Sequence, residues 1–120
     1  SDYTPKTKFE GKLKKQNLGK IWTLELAQND DVLASLKDFK NVKKIGFKME
    51  MDGASAMQNA KNMLEKKSLD AVCLNVLGGD INFGSDSTQI NFITSRDAQN
   101  IALTSKEDAA RQIVNLASKL

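Results

Sequence analysis

Lys44-Ile45-Gly46-Phe47-Lys48-Met49 and Asp70-Ala71-Val72-Cys73-Leu74-Asn75 are two short apolar segments, and the stretch between them has helical rather than alternating periodicity. Met57, Ala60 and Leu64 mark the expected buried stripe of that helix. It is expected to end near Lys66-Lys67, where positive charge suits a helix C-terminus, with Ser68 opening the next strand. Residues 71–74 form a continuous apolar run, the mark of a strand covered on both faces. Strand, helix, strand at this spacing is a βαβ unit, which implies a parallel pair, a right-handed crossover and an α/β fold.

The elements on either side extend that reading. After a glycine-containing loop from Leu77 to Gly84, Gln89 to Ile93 alternates cleanly, and Ala98 to Leu103 supplies its hairpin partner. Thr104-Ser105-Lys106-Glu107 reads as a capping box with the threonine as cap. The closing helix then buries Ala109, Ile113, Leu116 and Leu120. Towards the N-terminus, Ile21 to Leu26 reads as a half-exposed edge or partner-facing strand. Asn29, Asp30 or Asp31 caps a short helix carrying Val32, Leu33 and Leu36 up to about Phe39, with Lys37, Lys40, Lys43 and Lys44 at its solvated end. Residues 1–20 show little periodicity and are expected to form a basic flexible arm without a core.

Composition narrows the chemistry. The 120 residues, 40% hydrophobic and 28% charged, fit one domain, and no stretch approaches the ~18 apolar residues of a membrane helix. One cysteine, Cys73, excludes an internal disulfide; with no signal segment at the start, a cytoplasmic setting is expected. The absence of histidine excludes Ser-His-Asp and Cys-His catalysis and histidine-ligated zinc within the chain. The net charge of +3 originates in the arm, where six lysines face only Asp2 and Glu10; residues 21–120 are nearly neutral. Such an arm attracts anions, whether nucleic acid, headgroups or a phosphorylated small molecule.

Each candidate cluster has an ordinary reading beside its chemical one. Lys12-Leu13-Lys14-Lys15 gathers charge for phosphates or is simply a solvated loop. Gly78-Gly79 lies beyond a parallel strand, where open α/β sheets take ligands, yet turn formation explains it equally well. There is no complete phosphate-binding glycine motif. Asp30-Asp31 holds a metal or ligand amine, or merely caps a helix. Met49, Met51, Met57 and Met63 read as packing residues, and Cys73 as an inert core thiol.

In combination the segments resemble a family. Asp2-Tyr3-Thr4-Pro5 is similar to its Asp-aromatic-x-Pro, and Lys12-Leu13-Lys14-Lys15 to its Lys-x-Lys-Lys. Asn29-Asp30-Asp31-Val32-Leu33 resembles Asn-Pro-Asp-Ile-Leu, with Asp30 in place of proline. Ile45-Gly46-Phe47, Leu64-Glu65-Lys66-Lys67-Ser68-Leu69-Asp70, Phe83-Gly84-Ser85-Asp86 and Ser105-Lys106-Glu107 follow in the family's order. Met63 stands one turn before Lys67, where the family tends to be basic, and Asn82 stands where glycine is usual. The family is the bifunctional phosphopantothenoylcysteine decarboxylase/phosphopantothenate–cysteine ligase of coenzyme A biosynthesis, and the resemblance is to the C-terminal part of its ligase domain.

That resemblance implies a partial Rossmann-like three-layer α/β fold with parallel strands, a C-terminal β-hairpin and a closing helix. It divides the chain into a flap, 1–20, and a ligase part, 21–120. The implied reaction activates 4′-phosphopantothenate with CTP as an acyl-cytidylate, which the amine of cysteine then resolves with loss of CMP. It implies Mg2+ alongside CTP, with FMN only in a decarboxylase domain outside the chain, and a fragment inactive as a ligase on its own. By position, Lys12 is the implied catalytic cation; Asp2, Lys12, Asp30, Asp31, Val32, Leu33, Phe47 and Lys67 contact CTP; Asn75 is a ligand-loop residue. A homodimer through Ile21 to Leu26 is implied, with a higher oligomer open to the full-length protein. Nucleic acid and membrane are not expected partners. The alternatives are a basic-arm nucleic-acid module and a pure dimerisation module.

Overall fold

The computed structural model describes residues 2–78 and 84–120. The Gly79, Asn82 and Phe83 positions singled out above lie outside them. The chain forms two compact units, 1–32 and 33–120.

In the first unit β1 (Tyr3–Pro5) pairs antiparallel with β2 (Leu26–Gln28), Tyr3 opposite Gln28 and Pro5 opposite Leu26. The Asn29 amide donates to the Asp2 carbonyl at 2.8 Å and the Lys6 amide to the Glu25 carbonyl at 3.0 Å, extending the ribbon at both ends. Between the strands is one 3-10 turn, Lys15–Asn17. The strand expected at Ile21 to Leu26 therefore begins only at Leu26. Residues 21–25 are exposed and irregular, since no sheet face is available to bury Trp22 and Leu24. No described residue of this unit is buried. The division after Val32 is one of packing; the end of the arm at Lys20 is one of charge.

The second unit carries the core. β3 (Ile45–Glu50), α2 (Gly53–Lys66) and β4 (Ala71–Val76) form the expected parallel βαβ unit, with Ile45 opposite Ala71 and Glu50 opposite Val76. β5 (Ser87–Ile93) runs antiparallel to β4, and β6 (Ala98–Ser105) antiparallel to β5, giving the order β3-β4-β5-β6. Alternation along β4 explains the layering. Val72 and Leu74 join Ala56, Ala60, Leu64, Leu69 and Ile93 under α2. Ala71 and Cys73 join Ile90, Phe92, Ile101 and Ala109 under α3 (Lys106–Ala117). The result is a three-layer α/β/α fold with β4 covered on both faces.

Local chemistry sets the element ends, and several lie elsewhere than sequence spacing suggested. Asp52 caps α2, one carboxylate oxygen accepting from the Ala54 amide at 3.0 Å. The helix buries Ala56, Ala60 and Leu64; Met57 is 37% exposed, because the two alanines let the helix approach the sheet closely on the adjacent line of its surface. Ser68 does not open β4. It closes α2 in the left-handed region at φ 52°, while the Leu69 amide reaches the Leu64 carbonyl at 2.9 Å and the Ser68 amide the Glu65 carbonyl at 3.1 Å. This double closure is a Schellman motif, with the Leu64–Leu69 apolar contact that accompanies it.

Ser105, not Thr104, caps α3, accepting from the Asp108 amide at 3.1 Å, because the helix begins at Lys106 and Ser105 is the residue immediately before it. Glu107 instead pairs with Arg111 one turn on at 2.6 Å. The short α1 (Val32–Ser35) ends well before Phe39. Lys44 is not solvated: it is buried, and its ammonium donates to the carbonyls of Leu36 at 3.4 Å and Lys37 at 3.1 Å. No helix among the described residues is long and apolar enough to cross a membrane.

Candidate functional site

β3 is an outer strand, and its alternation places Phe47 and Met49 with Ile45 on the α3 face. Phe47 is 68% exposed and Met49 47%, large apolar surfaces that their own domain leaves open. Phe47 lines a groove of about 340 Å³ with Thr88, Ile90, Ala109 and Ile113, and among the described residues Lys106 contributes its only charged side chain. The first residue of α3 thus lines the same groove as Phe47. Lys106 was not among the sequence candidates, although the Ser105-Lys106-Glu107 helix opening marked its position.

Asn75 stands near the C-terminal end of β4, in register with Met49. Its Oδ1 is buried and has no hydrogen-bond partner among the described residues. Buried acceptors are rarely left unmatched, so this carboxamide is an open demand for a donor. Beside it, Glu50 is already committed. Its carboxylate takes Lys48 at 3.2 Å and the Asn59 amide at 3.0 Å, and these contacts, the Lys48 one foremost, hold it below its ordinary pKa.

Two other candidates, Leu33 and Lys67, lie elsewhere in the second unit. Leu33 packs on the α2 side, close to Gly46 and Met63. Lys67 caps the C-terminus of α2, where the chain turns into the start of β4, so Lys67 and Asn75 mark opposite ends of that strand, about 3.3 Å per residue apart along it. Asp2, Lys12, Asp30, Asp31 and Val32 are exposed and belong to the first unit.

Chemically, the second unit is equipped to bind more than to attack. The Cys73 thiol is buried and pushed up to about 11 by that burial, which keeps it protonated and inert at neutral pH. No group of three acidic or sulfur side chains among the described residues can hold a metal. That donor set does not form a protein cage for Mg2+, an ion that commonly arrives with one or two carboxylates and the phosphates of its nucleotide.

A mostly open four-stranded sheet with helices on both faces and a parallel βαβ unit defines the class of layered α/β domains. More narrowly, the chain belongs to the DNA/pantothenate metabolism flavoprotein C-terminal domain family, whose pattern matches residues 1–120. It is similar to the coenzyme A biosynthesis bifunctional protein CoaBC of Borreliella burgdorferi, 28% identical over 118 residues, covering 97% of this chain and 29% of that protein. The CoaBC of Bacillus subtilis is 32% identical over 117 residues, covering 95% of this chain and 28% of that protein. The chain therefore spans less than a third of the length of these curated relatives.

Among solved structures, the C-terminal domain of a CoaBC protein superimposes with a TM-score of 0.66 at 21% identity, over 96% of this chain and 47% of that one. A DNA/pantothenate metabolism flavoprotein from Streptococcus pneumoniae gives 0.65 at 20%, over 98% and 56%. These likenesses agree with the three-layer fold, and the chain is a relative of coenzyme A biosynthesis enzymes.

Proposed function

We propose that this domain is the CTP-handling part of a phosphopantothenate–cysteine ligase. The observation that carries the reading is the buried Asn75 Oδ1, unpartnered among the described residues, at the end of a parallel strand close to the exposed Phe47 and Met49. An acceptor in that place is satisfied by a donor on a bound molecule; an exposed ring suits the flat face of a base, and a lysine lining the same groove suits phosphate charge.

In this reading the carboxylate of 4′-phosphopantothenate attacks the α-phosphorus of CTP and pyrophosphate leaves. The amine of cysteine then attacks the acyl carbon, CMP leaves with the bond electrons, and the amine proton passes to solvent. Both steps depend mainly on positioning and charge neutralisation, which agrees with a chain lacking histidine. Lys12 meets phosphate charge from the arm, and Asp2 accepts from the cytosine amine. The turn from Asp30 through Asp31 and Val32 to Leu33 borders the nucleotide, Phe47 packs against it, and Lys67 adds a cation. Mg2+ enters as the nucleotide's counter-ion. FMN is assigned to the part of the relatives that this chain does not span. A homodimer through residues 21–26 accords with Ile21 at 87%, Trp22 at 45% and Leu24 at 44% exposure.

Calorimetry of the 120-residue chain with CTP–Mg2+ and with a random oligonucleotide tests the assignment. Saturable CTP binding, lost in Asn75→Leu and weakened in Phe47→Ala, is expected. Salt-sensitive oligonucleotide binding without preference for CTP would replace this reading with a nucleic-acid module. Release of CMP from CTP, 4′-phosphopantothenate and cysteine is expected to be absent for the chain alone, and robust turnover would refute the partial-site view.

A further inference from the structure

A second concavity, of about 360 Å³, lies at the other end of the sheet from Asn75, where β4 begins, the β5–β6 turn folds over and α3 finishes. Its floor is apolar: Leu69 of the α2-side core and Phe92 of the α3-side core are 7% and 2% exposed, and Leu116 packs against the Phe92 cluster. Its rim is charged, with Lys43, Arg96 and Lys119 facing Asp70 and Asp97.

The acids are already engaged. One Asp70 oxygen takes Lys43 at 3.3 Å and the other the Lys44 amide at 2.8 Å. Asp97 takes the Thr94 hydroxyl at 2.6 Å on one oxygen and the Gln99 amide at 3.1 Å on the other. By contrast, the Arg96 guanidinium and the Lys119 ammonium make no hydrogen bond or ion pair among the described residues. What the pocket still offers is therefore two cations above an apolar floor. The acids hold the turn in shape, and Asp97 also attracts Arg96 electrostatically without a direct ion pair, so the three cations of the rim outnumber its two acids.

We propose that this pocket is a binding site for a small amphipathic anion, its charged head held by Arg96 and Lys119 and its apolar chain lying on Leu69, Phe92 and Leu116. The volume is at the small end of ligand pockets, which limits the occupant to a short chain. A guanidinium presents paired donors that match carboxylate or phosphate oxygens, so either head meets the same chemistry. The site is independent of the proposed ligase reading, since none of these residues belongs to it.

Amide chemical-shift titrations of the isotope-labelled 120-residue chain test this, with hexyl phosphate and hexanoate as the two anionic probes. Hexanol serves as the apolar control and inorganic phosphate as the charge control. At least one anionic probe is expected to saturate, moving amides at Ser95 to Asp97 and Leu116 to Leu120. Binding is expected to fall about tenfold in Arg96→Ala and in Lys119→Ala, and both controls to bind at least about tenfold more weakly. A saturating phosphate with an inert hexanoate, or the reverse, identifies the head group and supports the site. The proposal is overturned by failure of both anionic probes to saturate, by hexanol binding equally well, by indifference to both substitutions, or by shifts confined to the lysines of the arm. Both side chains are exposed, so the variants fold, and an unchanged spectrum away from the pocket verifies it.

Discussion

Replacing Gly46 by alanine probes how closely α2 and the α1 segment press on β3. A Cβ there would lie 2.7 Å from Met63 Cε, 2.8 Å from Leu69 Cδ1 and 3.2 Å from Leu33 Cδ2. Met63 can swing its methyl aside. Leu69 cannot, since it is 7% exposed and fixed by the Schellman closure against Leu64. Overpacking of this kind costs about 1–3 kcal/mol, offset by roughly 0.4–1 kcal/mol because alanine restricts the unfolded chain. The expected net loss is about 1–2 kcal/mol. Urea unfolding reads it as a midpoint lowered by roughly 0.5–1 M at unchanged slope, for a slope of about 2 kcal/mol/M. Met63→Ala in the same chain removes the nearest atom, so the double variant is expected to recover part of the loss beyond additivity. A Gly46→Ala domain as stable as the parent, with no coupling to Met63, would refute the close-approach argument.

Other expectations are independent of that one. Ser68→Gly is expected to stabilise by up to about 1 kcal/mol, because a serine at φ 52° carries a left-handed penalty of about 1–2 kcal/mol, partly cancelled by the freer unfolded chain; thermal unfolding decides it. Ser105→Ala should cost about 1 kcal/mol through loss of the α3 cap, and Thr104→Ala clearly less; the reverse order would restore the cap to Thr104. Burial pushes the Asp70 carboxyl up, but the Lys44 amide and the Lys43 ammonium outweigh it and leave it below the usual carboxylate range. Its stabilising contribution is thus complete above the ordinary carboxylate pKa of about 4 and is lost as pH falls through the depressed value, a drop that Asp70→Asn should remove from an acid unfolding profile. Cys73, held at about 11, should resist thiol reagents at pH 8 until the domain is unfolded, and stability should decline above the ordinary thiol value of about 8.5, where only the unfolded chain ionises.

Periodicity revealed the second unit well because its patterns are dictated by layers. The run from Ala71 to Leu74 required cover on both faces, and α2 and α3 supply it. Phase was harder. Sequence spacing made Met57 the buried partner of Ala60, since it weighs hydrophobicity, whereas close packing selected the smaller Ala56. Ser68 and Thr104 differ from their expected roles for a related reason: a helix closure and a helix cap depend on the residue at which the helix starts or stops, and spacing does not encode that to one residue. Lys44 looked solvated because lysine usually is, and only the folded chain brings the Leu36 and Lys37 carbonyls to it. For the site, Phe47 and Asn75 were visible as residues at strand positions. The acceptor on Asn75, unmatched among the described residues, and the placing of Lys106 in the Phe47 groove arise from tertiary placement, which no local motif announces.

The ribbon formed by β1 and β2 has a kinetic consequence. Its strands are three residues each and no described side chain between them is buried, so little apolar surface is exposed when it unzips. Its amides should exchange with solvent through local opening, on a time scale separate from those of β4 and β5, whose exchange requires disruption of both core layers. A molecule gripped by the lysines of this segment would bear the entropy of ordering it at each encounter and recover that entropy on leaving. Such an arrangement favours rapid exchange of occupants over tight retention.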